Sequence, residues 1–193
     1  MLEFGKDYYF RYAKFKEFIK KSPDVIPIVT IGLRLSEHTD RAYLRRWLMD
    51  VETLGWFPFS HEGESNHMVG LWSEFFRLGA SLTCFDENTR EPTGIATLLL
   101  NPFKKICHTC DFSIIVDPKN RNEGIGGFLL DKLQELAKDK FNIKHLTLQV
   151  YDKNPAINLY YRKGFSICGR QKDFVLDGDK YLDKIYMEKK LYL

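Results

Sequence analysis

The feature that most constrains this chain is a glycine-containing segment, Val116–Gly127 (VDPKNRNEGIGG). It follows a β-rich stretch, residues 111–116 (DFSIIV), and precedes leucines at helical spacing, Leu129, Leu130 and Leu133. A strand that passes through closely spaced glycines into a helix predicts an α/β arrangement. The segment is then expected at the end of a sheet strand.

Closely spaced glycines at a helix start let backbone N–H groups approach an anion, and the helix N-terminus adds partial positive charge. The segment therefore predicts a pyrophosphate-binding loop. It is not a Walker loop, because no Gly-Lys-Ser/Thr ends it. It is not a dinucleotide fingerprint either, because Leu129 stands where the last glycine is required. A glycine-rich turn that serves only tight helix packing is the alternative.

Length and composition fit one sizeable globular domain: 193 residues, 44% of them hydrophobic and 28% charged. Lys and Arg exceed Asp and Glu by 29 − 26 = 3, and the two signs are mixed along the chain, so nucleic acid is not a favoured partner. No apolar run approaches the roughly 20 residues of a membrane-spanning helix. The N-terminus lacks the pattern of a secretory signal, so we expect a cytoplasmic protein.

The four cysteines, Cys84, Cys107, Cys110 and Cys168, are expected to remain thiols in a reducing compartment. Cys107 and Cys110 have C-x-x-C spacing, but a structural zinc site needs four ligands and no second pair occurs. A redox motif would open a helix, whereas this one leads into a strand. We therefore predict no metal site.

Hydrophobic periodicity predicts the order of the elements. Aromatic residues recur among basic ones in residues 1–27, which predicts an amphipathic helical extension that packs on the domain or contacts an acidic or membrane surface. Residues 28–193 are expected to form the domain. Predicted strands cover residues 28–35, 80–85, 94–100, 111–116, 145–151, 165–170 and 180–189, and predicted helices cover 40–53, 65–78, 125–138 and 155–162, the first with Leu44, Trp47, Leu48 and Val51 on its buried face.

Two segments carry a family resemblance. Residues 116–126 read V-x-P-x-x-R-x-x-G-x-G, and residues 154–165 read N-x-A-x-x-L-Y-x-x-x-G-F. The first resembles motif A of the GNAT acetyltransferases, and the second resembles another signature of that family. The order of elements over residues 28–189 is also similar. The stretch LRLSEHTD…WL resembles the branch of ribosomal-protein and aminoglycoside N-acetyltransferases.

The resemblance implies a fold and a cosubstrate. The implied fold is a single α/β (α+β) domain with a mixed, mostly antiparallel sheet, a splayed parallel strand pair and flanking helices. Acetyl-coenzyme A is implied to lie between the splayed strands, with its pantetheine arm along Ile114, Ile115 and Val116 and a backbone N–H near Ile114 polarising the thioester carbonyl. Its pyrophosphate is implied to lie on the loop formed by Arg121, Asn122, Glu123, Gly124, Ile125, Gly126 and Gly127.

The second signature implies two further roles. Tyr160 matches the family's tyrosine near the leaving sulfur, where a phenol of pKa about 10 can donate a hydrogen bond or proton to the thiolate. Plain packing is the alternative for Tyr160, and Tyr161 is the adjacent candidate. Asn154 is implied to bond the pantetheine arm; as an ordinary residue at that place it would cap the helix that follows, and both roles are compatible.

A base must take a proton from the substrate ammonium before attack. Asp111 lies in the strand before Val116, where the ribosomal-protein branch often has glutamate, and it is the preferred candidate. A solvent-exposed aspartate at a strand end is the equal alternative, and His108 is a weaker candidate.

Three positions depart from the family pattern. Gln149 stands where a glutamate base is frequent, and Asn122 stands where glycine is usual, although Asn tolerates left-handed backbone. Glu123 places an anion in the phosphate loop, which favours the helix dipole but opposes phosphates.

Two functions therefore remain. The preferred one is an enzyme that transfers the acetyl group to a primary amine of a small molecule or of a peptide or protein. The alternative is a non-catalytic acyl-coenzyme A sensor on the same fold; a nucleotide-binding domain is disfavoured by the loop pattern. The region expected to cover the acceptor contains Trp56, Phe57 and Phe59, which suit an apolar group or simply close a core, and Glu62 and Glu64, which suit a cation.

Overall fold

A computed structural model describes residues 30–192. The predicted N-terminal helix within residues 1–27 lies outside the described residues. The described part contains five helices and one seven-stranded sheet. The strands are β1 (Ile31–Leu35), β2 (Ser81–Asp86), β3 (Pro92–Leu100), β4 (Thr109–Val116), β5 (His145–Tyr151), β6 (Ser166–Asp177) and β7 (Lys180–Lys190), and the helices are α1 (Arg41–Leu48), α2 (Val51–Leu54), α3 (Glu62–Arg77), α4 (Ile125–Asp139) and α5 (Ala156–Arg162).

The strand order is β1-β2-β3-β4-β5-β7-β6, and every neighbouring pair is antiparallel except β4–β5. The chain links the parallel strands through α4, which supplies the long crossover that a parallel pair requires. The parallel ladder is short: it pairs Thr109 with His145, Cys110 with Leu146, and Asp111 with Thr147. Both strands continue beyond this point without pairing to each other, so the sheet opens between them. The implied fold class is confirmed.

One face of the sheet packs against α4 and α5. Leu129, Leu130 and Leu133 of α4 are fully buried there, as their helical spacing predicts. They meet alternate residues of the strands, including Leu98 and Leu146. Truncation of one such leucine to alanine is expected to cost about 2–5 kcal/mol.

The opposite face packs against α1 and α3. Leu44, Trp47 and Trp72 from these helices form a second buried cluster with Ile95 and Ile115 of the sheet. Ile115 belongs to this cluster while Phe112 and Ile114 belong to the first, because successive residues of β4 point to opposite faces. Both sides of the central sheet are therefore covered by helices.

The prediction of one continuous helix over residues 40–53 is wrong. A short 3₁₀ turn at His38–Asp40 precedes α1, and α2 is a separate turn. The side chain of Asp50 accepts a hydrogen bond from the backbone N–H of Thr53 at 3.0 Å, and an extended backbone at Asp50 starts α2 in a new direction. Val51, predicted to be buried, is therefore 87% exposed.

The other elements lie close to their predicted positions, with β5 over the predicted residues and α4 one residue longer. The closing hairpin differs most, because β6 continues to Asp177 through an irregularity between Gln171 and Val175. None of the described helices is long and apolar enough to cross a membrane. In residues 30–192, no three side chains of His, Cys, Asp or Glu come together in a way that could hold a metal ion.

Candidate active site

The candidate site is built around the opening between β4 and β5. This opening begins after Asp111 and Thr147 and continues to the ends of both strands. On its other edge β4 stays paired with β3, where Ile114 lies opposite Ala96 and Val116 opposite Gly94. The edge of β4 at Ile114, Ile115 and Val116 that faces the opening therefore has no β5 partner, which leaves backbone groups for an extended ligand.

The glycine-containing loop lies at the end of this strand. Asn122 adopts left-handed backbone, with φ of 65°, and Gly124 does so with φ of 85°. Asn is among the few residues that tolerate this conformation, which explains how Asn122 replaces a glycine. A Cβ atom at Gly124 would meet nothing within 4 Å, so the space beside the N-terminus of α4 is open. The loop thus suits an anion such as a pyrophosphate, which would contact its N–H groups.

The other residues of the loop contact neighbouring parts of the protein. Ile125 is buried, and Gly126 and Gly127 approach α5, where an added Cβ would lie 3.5 Å from Leu159 and 3.4 Å from Lys163, respectively. The carboxylate of Glu123 accepts a hydrogen bond from the Asn120 amide at 3.3 Å. The guanidinium of Arg121 turns towards α2, where it donates to the Thr53 hydroxyl at 2.5 Å and pairs with Glu52 at 3.0 Å.

Tyr160 lies in α5 with its ring buried in the first core. It packs edge-on against Phe112 of β4, with ring centroids 6.0 Å apart, and against Phe165 at 6.1 Å. Its hydroxyl makes no hydrogen bond to another described residue. Burial raises the pKa of Tyr160, so the phenol stays protonated at neutral pH and can donate a hydrogen bond or a proton but cannot act as a base. Phe112 directly follows Asp111, the last residue of β4 that pairs with β5, which places Tyr160 beside the start of the opening.

Tyr161 and Asn154, the other candidates near Tyr160, differ from it in their surroundings. Tyr161 is 48% exposed and points away from the core. The side-chain oxygen of Asn154 accepts a hydrogen bond from the backbone N–H of Ala156 at 2.9 Å, so it caps α5 as its position before the helix suggested. The amide nitrogen of Asn154 remains a donor that the cap does not use.

Asp111 is half-buried at the point where β4 and β5 separate. The hydroxyl of Thr147, its register partner in β5, donates a hydrogen bond to the Asp111 carboxylate. Sequence reasoning missed Thr147; the signal was its place opposite Asp111 in a parallel pair, which requires the strand register. Gln149 is exposed on the same face of β5, and His108 is exposed, with its ring edge-on to His145 at 6.0 Å.

The region expected to cover the acceptor is mostly engaged in internal contacts. Phe57 stacks on Phe59 at 5.3 Å, and Phe59 is buried, so these aromatics close the second core. Glu62 pairs with Arg45, and Glu64 accepts a hydrogen bond from the Ser60 backbone N–H at 2.8 Å, which lowers the pKa of Glu64. A shallow depression of about 400 Å³ remains in this region, lined by Pro58, Phe59, His61, Gly63, Glu64, His67 and Met68.

Known proteins are similar to this chain in sequence or in fold. An L-amino acid N-acetyltransferase of Escherichia coli K12 is 32% identical over 107 residues, which cover 55% of this chain and 64% of the relative's length. An acetyltransferase of Salmonella typhimurium, solved with its cofactor acetyl-CoA, superposes with a TM-score of 0.71 at 19% identity, over 84% of this chain and 95% of that one. A ribosomal-protein-alanine N-acetyltransferase of Brucella melitensis superposes with a TM-score of 0.70 at 24% identity, over 82% and 98%.

The two superpositions concern the fold. The family assignment rests on sequence. The sequence model of a family described as "Acetyltransferase (GNAT) family" matches residues 41–165, well over half of the chain. The matched range includes α1, the opening between β4 and β5, the glycine-containing loop and Tyr160. The chain belongs to the GNAT acetyltransferase family.

Proposed function

We propose that this protein is an N-acetyltransferase that uses acetyl-coenzyme A to acetylate a primary amine of a small molecule or of a peptide or protein. The observation that carries the proposal is the opening between β4 and β5, which leads directly to the glycine-containing loop. A long thiol ester with a pyrophosphate at one end fits such a path, because strand edges suit its amide groups and the loop suits its phosphates. Membership of the GNAT family supports the same assignment.

Each implied residue can contribute to a direct transfer. The cosubstrate supplies an activated acetyl group as a thioester. Asp111 would take the proton of the acceptor ammonium, directly or through water, so that the amine nitrogen can bond to the carbonyl carbon. Backbone N–H groups of β4 near Ile114 would stabilise the negative charge on the carbonyl oxygen. Tyr160 would donate a hydrogen bond to the sulfur as the carbon–sulfur bond breaks.

The acceptor is proposed at the level of its chemistry, an amine. The similar proteins include one named for L-amino acids and one named for a ribosomal-protein alanine, so both a small molecule and a protein N-terminus belong in the test panel. The cytoplasmic location expected from the sequence stays a prediction.

The decisive test measures the release of free coenzyme A thiol from acetyl-coenzyme A with a panel of amines. The panel contains amino acids, polyamines, aminoglycosides and peptides with a free N-terminus. Acceptor-dependent release that saturates supports the enzyme. Tight binding of acetyl-coenzyme A without release for any amine would favour the acyl-coenzyme A sensor, which Gln149 at the usual position of a base makes the second candidate.

The base is tested with Asp111→Asn. The amide keeps the size of the side chain and can still accept from Thr147, but it cannot take a proton. We expect kcat to fall about 100-fold or more while the Kd for acetyl-coenzyme A changes little. Asp177→Asn is the matched control, since Asp177 is an exposed aspartate at the end of β6. An unchanged kcat for Asp111→Asn would remove Asp111 from the mechanism.

A further inference from the structure

Two residues of the glycine-containing loop, Asp117 and Arg121, are tied to helices α1 and α2. Asp117 is buried, and one of its carboxylate oxygens accepts the backbone N–H of Lys119 at 3.0 Å. Its other oxygen accepts a hydrogen bond from the guanidinium of Arg46 in α1 at 3.2 Å. The backbone N–H of Asp117 bonds the carbonyl of Thr93 in β3 at 2.9 Å. The entry into the loop is therefore held by a strand and by α1.

The second tie is made by Arg121. One terminal nitrogen of its guanidinium donates to the Thr53 hydroxyl at 2.5 Å, and the other pairs with the Glu52 carboxylate at 3.0 Å. Thr53 is 3% exposed, and its hydroxyl donates in turn to the Asp50 carboxylate that caps α2, at 3.0 Å. A fork-shaped guanidinium matches two neighbouring acceptors in this way, whereas a lysine ammonium does not. The contact joins residues 68 positions apart in the chain.

Arg121 lies directly before the residues of the loop whose N–H groups are proposed to bind phosphate. Arg121 has extended backbone directly before the left-handed residue Asn122, which leads to Gly124 and the first turn of α4. The direction in which the chain leaves Arg121 sets where the N–H groups of residues 122–127 point. A side chain fixed at this position therefore limits the conformations available to the loop before any ligand arrives.

We propose that Arg121 is a positioning residue that clamps the phosphate loop to α2 through Thr53 and Glu52, and that it is not itself a ligand of the phosphates. The proposal rests on the proposed function, because the loop is taken to bind acetyl-coenzyme A. It has a distinctive consequence: acetyl-coenzyme A affinity depends on Thr53, which is buried in a different helix, α2. The clamp couples α2 to the loop, and the separate Arg46–Asp117 pair couples α1 to it.

The test replaces the Thr53 hydroxyl. Thr53→Val keeps the shape of the side chain but removes the acceptor of the Arg121 hydrogen bond, and Thr53→Ser keeps the hydroxyl as the matched control. We expect Thr53→Val to weaken acetyl-coenzyme A binding about 10-fold in calorimetry, and Thr53→Ser to stay within about twofold of the wild type. Circular dichroism and thermal unfolding check that both variants fold. Glu52→Gln removes the exposed half of the clamp and is expected to weaken binding about threefold, so the proposal does not depend on the buried variant alone.

Two further measurements separate a clamp from a direct phosphate contact. The first uses Arg121→Lys, which keeps the positive charge but loses the forked pair of donors. If Arg121 acts through Thr53, the double variant Thr53→Val/Arg121→Lys should bind acetyl-coenzyme A no more weakly than the single variant with the lower affinity. Additive losses, or unchanged affinity in both Thr53→Val and Glu52→Gln, would overturn the proposal.

Amide hydrogen exchange of residues 117–127 in the cofactor-free protein is the second readout. Faster exchange is expected in Thr53→Val than in Thr53→Ser, and equal exchange contradicts the clamp. This readout needs no ligand. If the wild-type chain fails to bind acetyl-coenzyme A, the proposed function fails, and the exchange experiment still decides on the clamp.

Discussion

At the scale of single residues, the burial of Tyr160 decides what its hydroxyl can do. The ring is enclosed by Phe112 and Phe165, and burial raises the pKa of the phenol above its ordinary value of about 10. A tyrosine in such surroundings keeps its proton through the physiological range. It can donate to a departing thiolate but cannot serve as the base, which leaves that role to a group such as Asp111.

The role of Tyr160 is tested with Tyr160→Phe. The ring packing is retained, and the lost hydroxyl has no partner among the described residues, so the free energy of unfolding is expected to stay nearly unchanged. We expect kcat to fall about 100-fold with little change in the Kd for acetyl-coenzyme A. The exposed neighbour provides the control, Tyr161→Phe, which should keep the wild-type rate. Equal rates for all three proteins would reduce Tyr160 to a packing residue.

The sequence could point to Tyr160 and Asp111 but could not describe their surroundings. Tyr160 was reached through the signature ending at Phe165, because the spacing within one short helix is local information. The Thr147 hydroxyl on Asp111 could not be foreseen, because it depends on the register between β4 and β5, strands joined through a loop and a helix. Register is set by the packing of the whole sheet.

At the scale of elements, the loop from β4 to α4 combines a strand end, left-handed backbone and a helix start. These features are local, and the glycine pattern predicted them. The division of α1 from α2 was less evident, since Leu44, Trp47, Leu48 and Val51 fit one continuous helical face. The cap by Asp50 interrupts that face, and the clamp at Thr53 fixes the short second helix against the loop.

The loop is tested with Gly124→Glu. A carboxylate would enter the open space beside the first turn of α4, where the phosphates are proposed to bind, and repel them. We expect acetyl-coenzyme A binding to become undetectable in calorimetry, a loss of at least about 100-fold.

Gly178→Glu is the matched control for this variant. Gly178 also has left-handed backbone, with φ of 59°, and its Cβ would also meet nothing within 4 Å, but it lies in the turn between β6 and β7. Both variants therefore carry a similar backbone penalty. Retained affinity in Gly124→Glu, or an equal loss in Gly178→Glu, would argue against a phosphate site at this loop.

At the scale of the whole molecule, two fully buried thiols link stability to alkaline pH. Burial raises the pKa of Cys84, and burial together with the neighbouring Asp111 raises the pKa of Cys110 to about 12. In the unfolded chain both thiols lose their protons near pH 8.5. Above that pH the unfolded state binds fewer protons than the folded state, so the free energy of unfolding falls as the pH rises.

This effect is measurable by urea unfolding between pH 8 and pH 10. Each buried thiol is expected to lower the free energy of unfolding by about 1.4 kcal/mol per pH unit once the unfolded thiol is ionised. Cys84→Ala should show a shallower pH dependence than the wild type, whatever its absolute stability. Cys168 is exposed, so Cys168→Ala should leave the slope unchanged. Identical slopes for the three proteins would contradict the linkage.

The sequence by itself determined the features that depend on neighbouring residues. Periodicity gave β5 and α4 close to their bounds, and the glycines marked the loop, because backbone preferences and amphipathic spacing act over a few residues. The tertiary structure alone decided where the side chains at that loop reach. Arg121, grouped by sequence with the cofactor ligands, turns to Thr53 and Glu52 of a helix whose existence the sequence did not show. Such a contact joins residues 68 positions apart and depends on how α2 packs beside the loop, which no local pattern encodes.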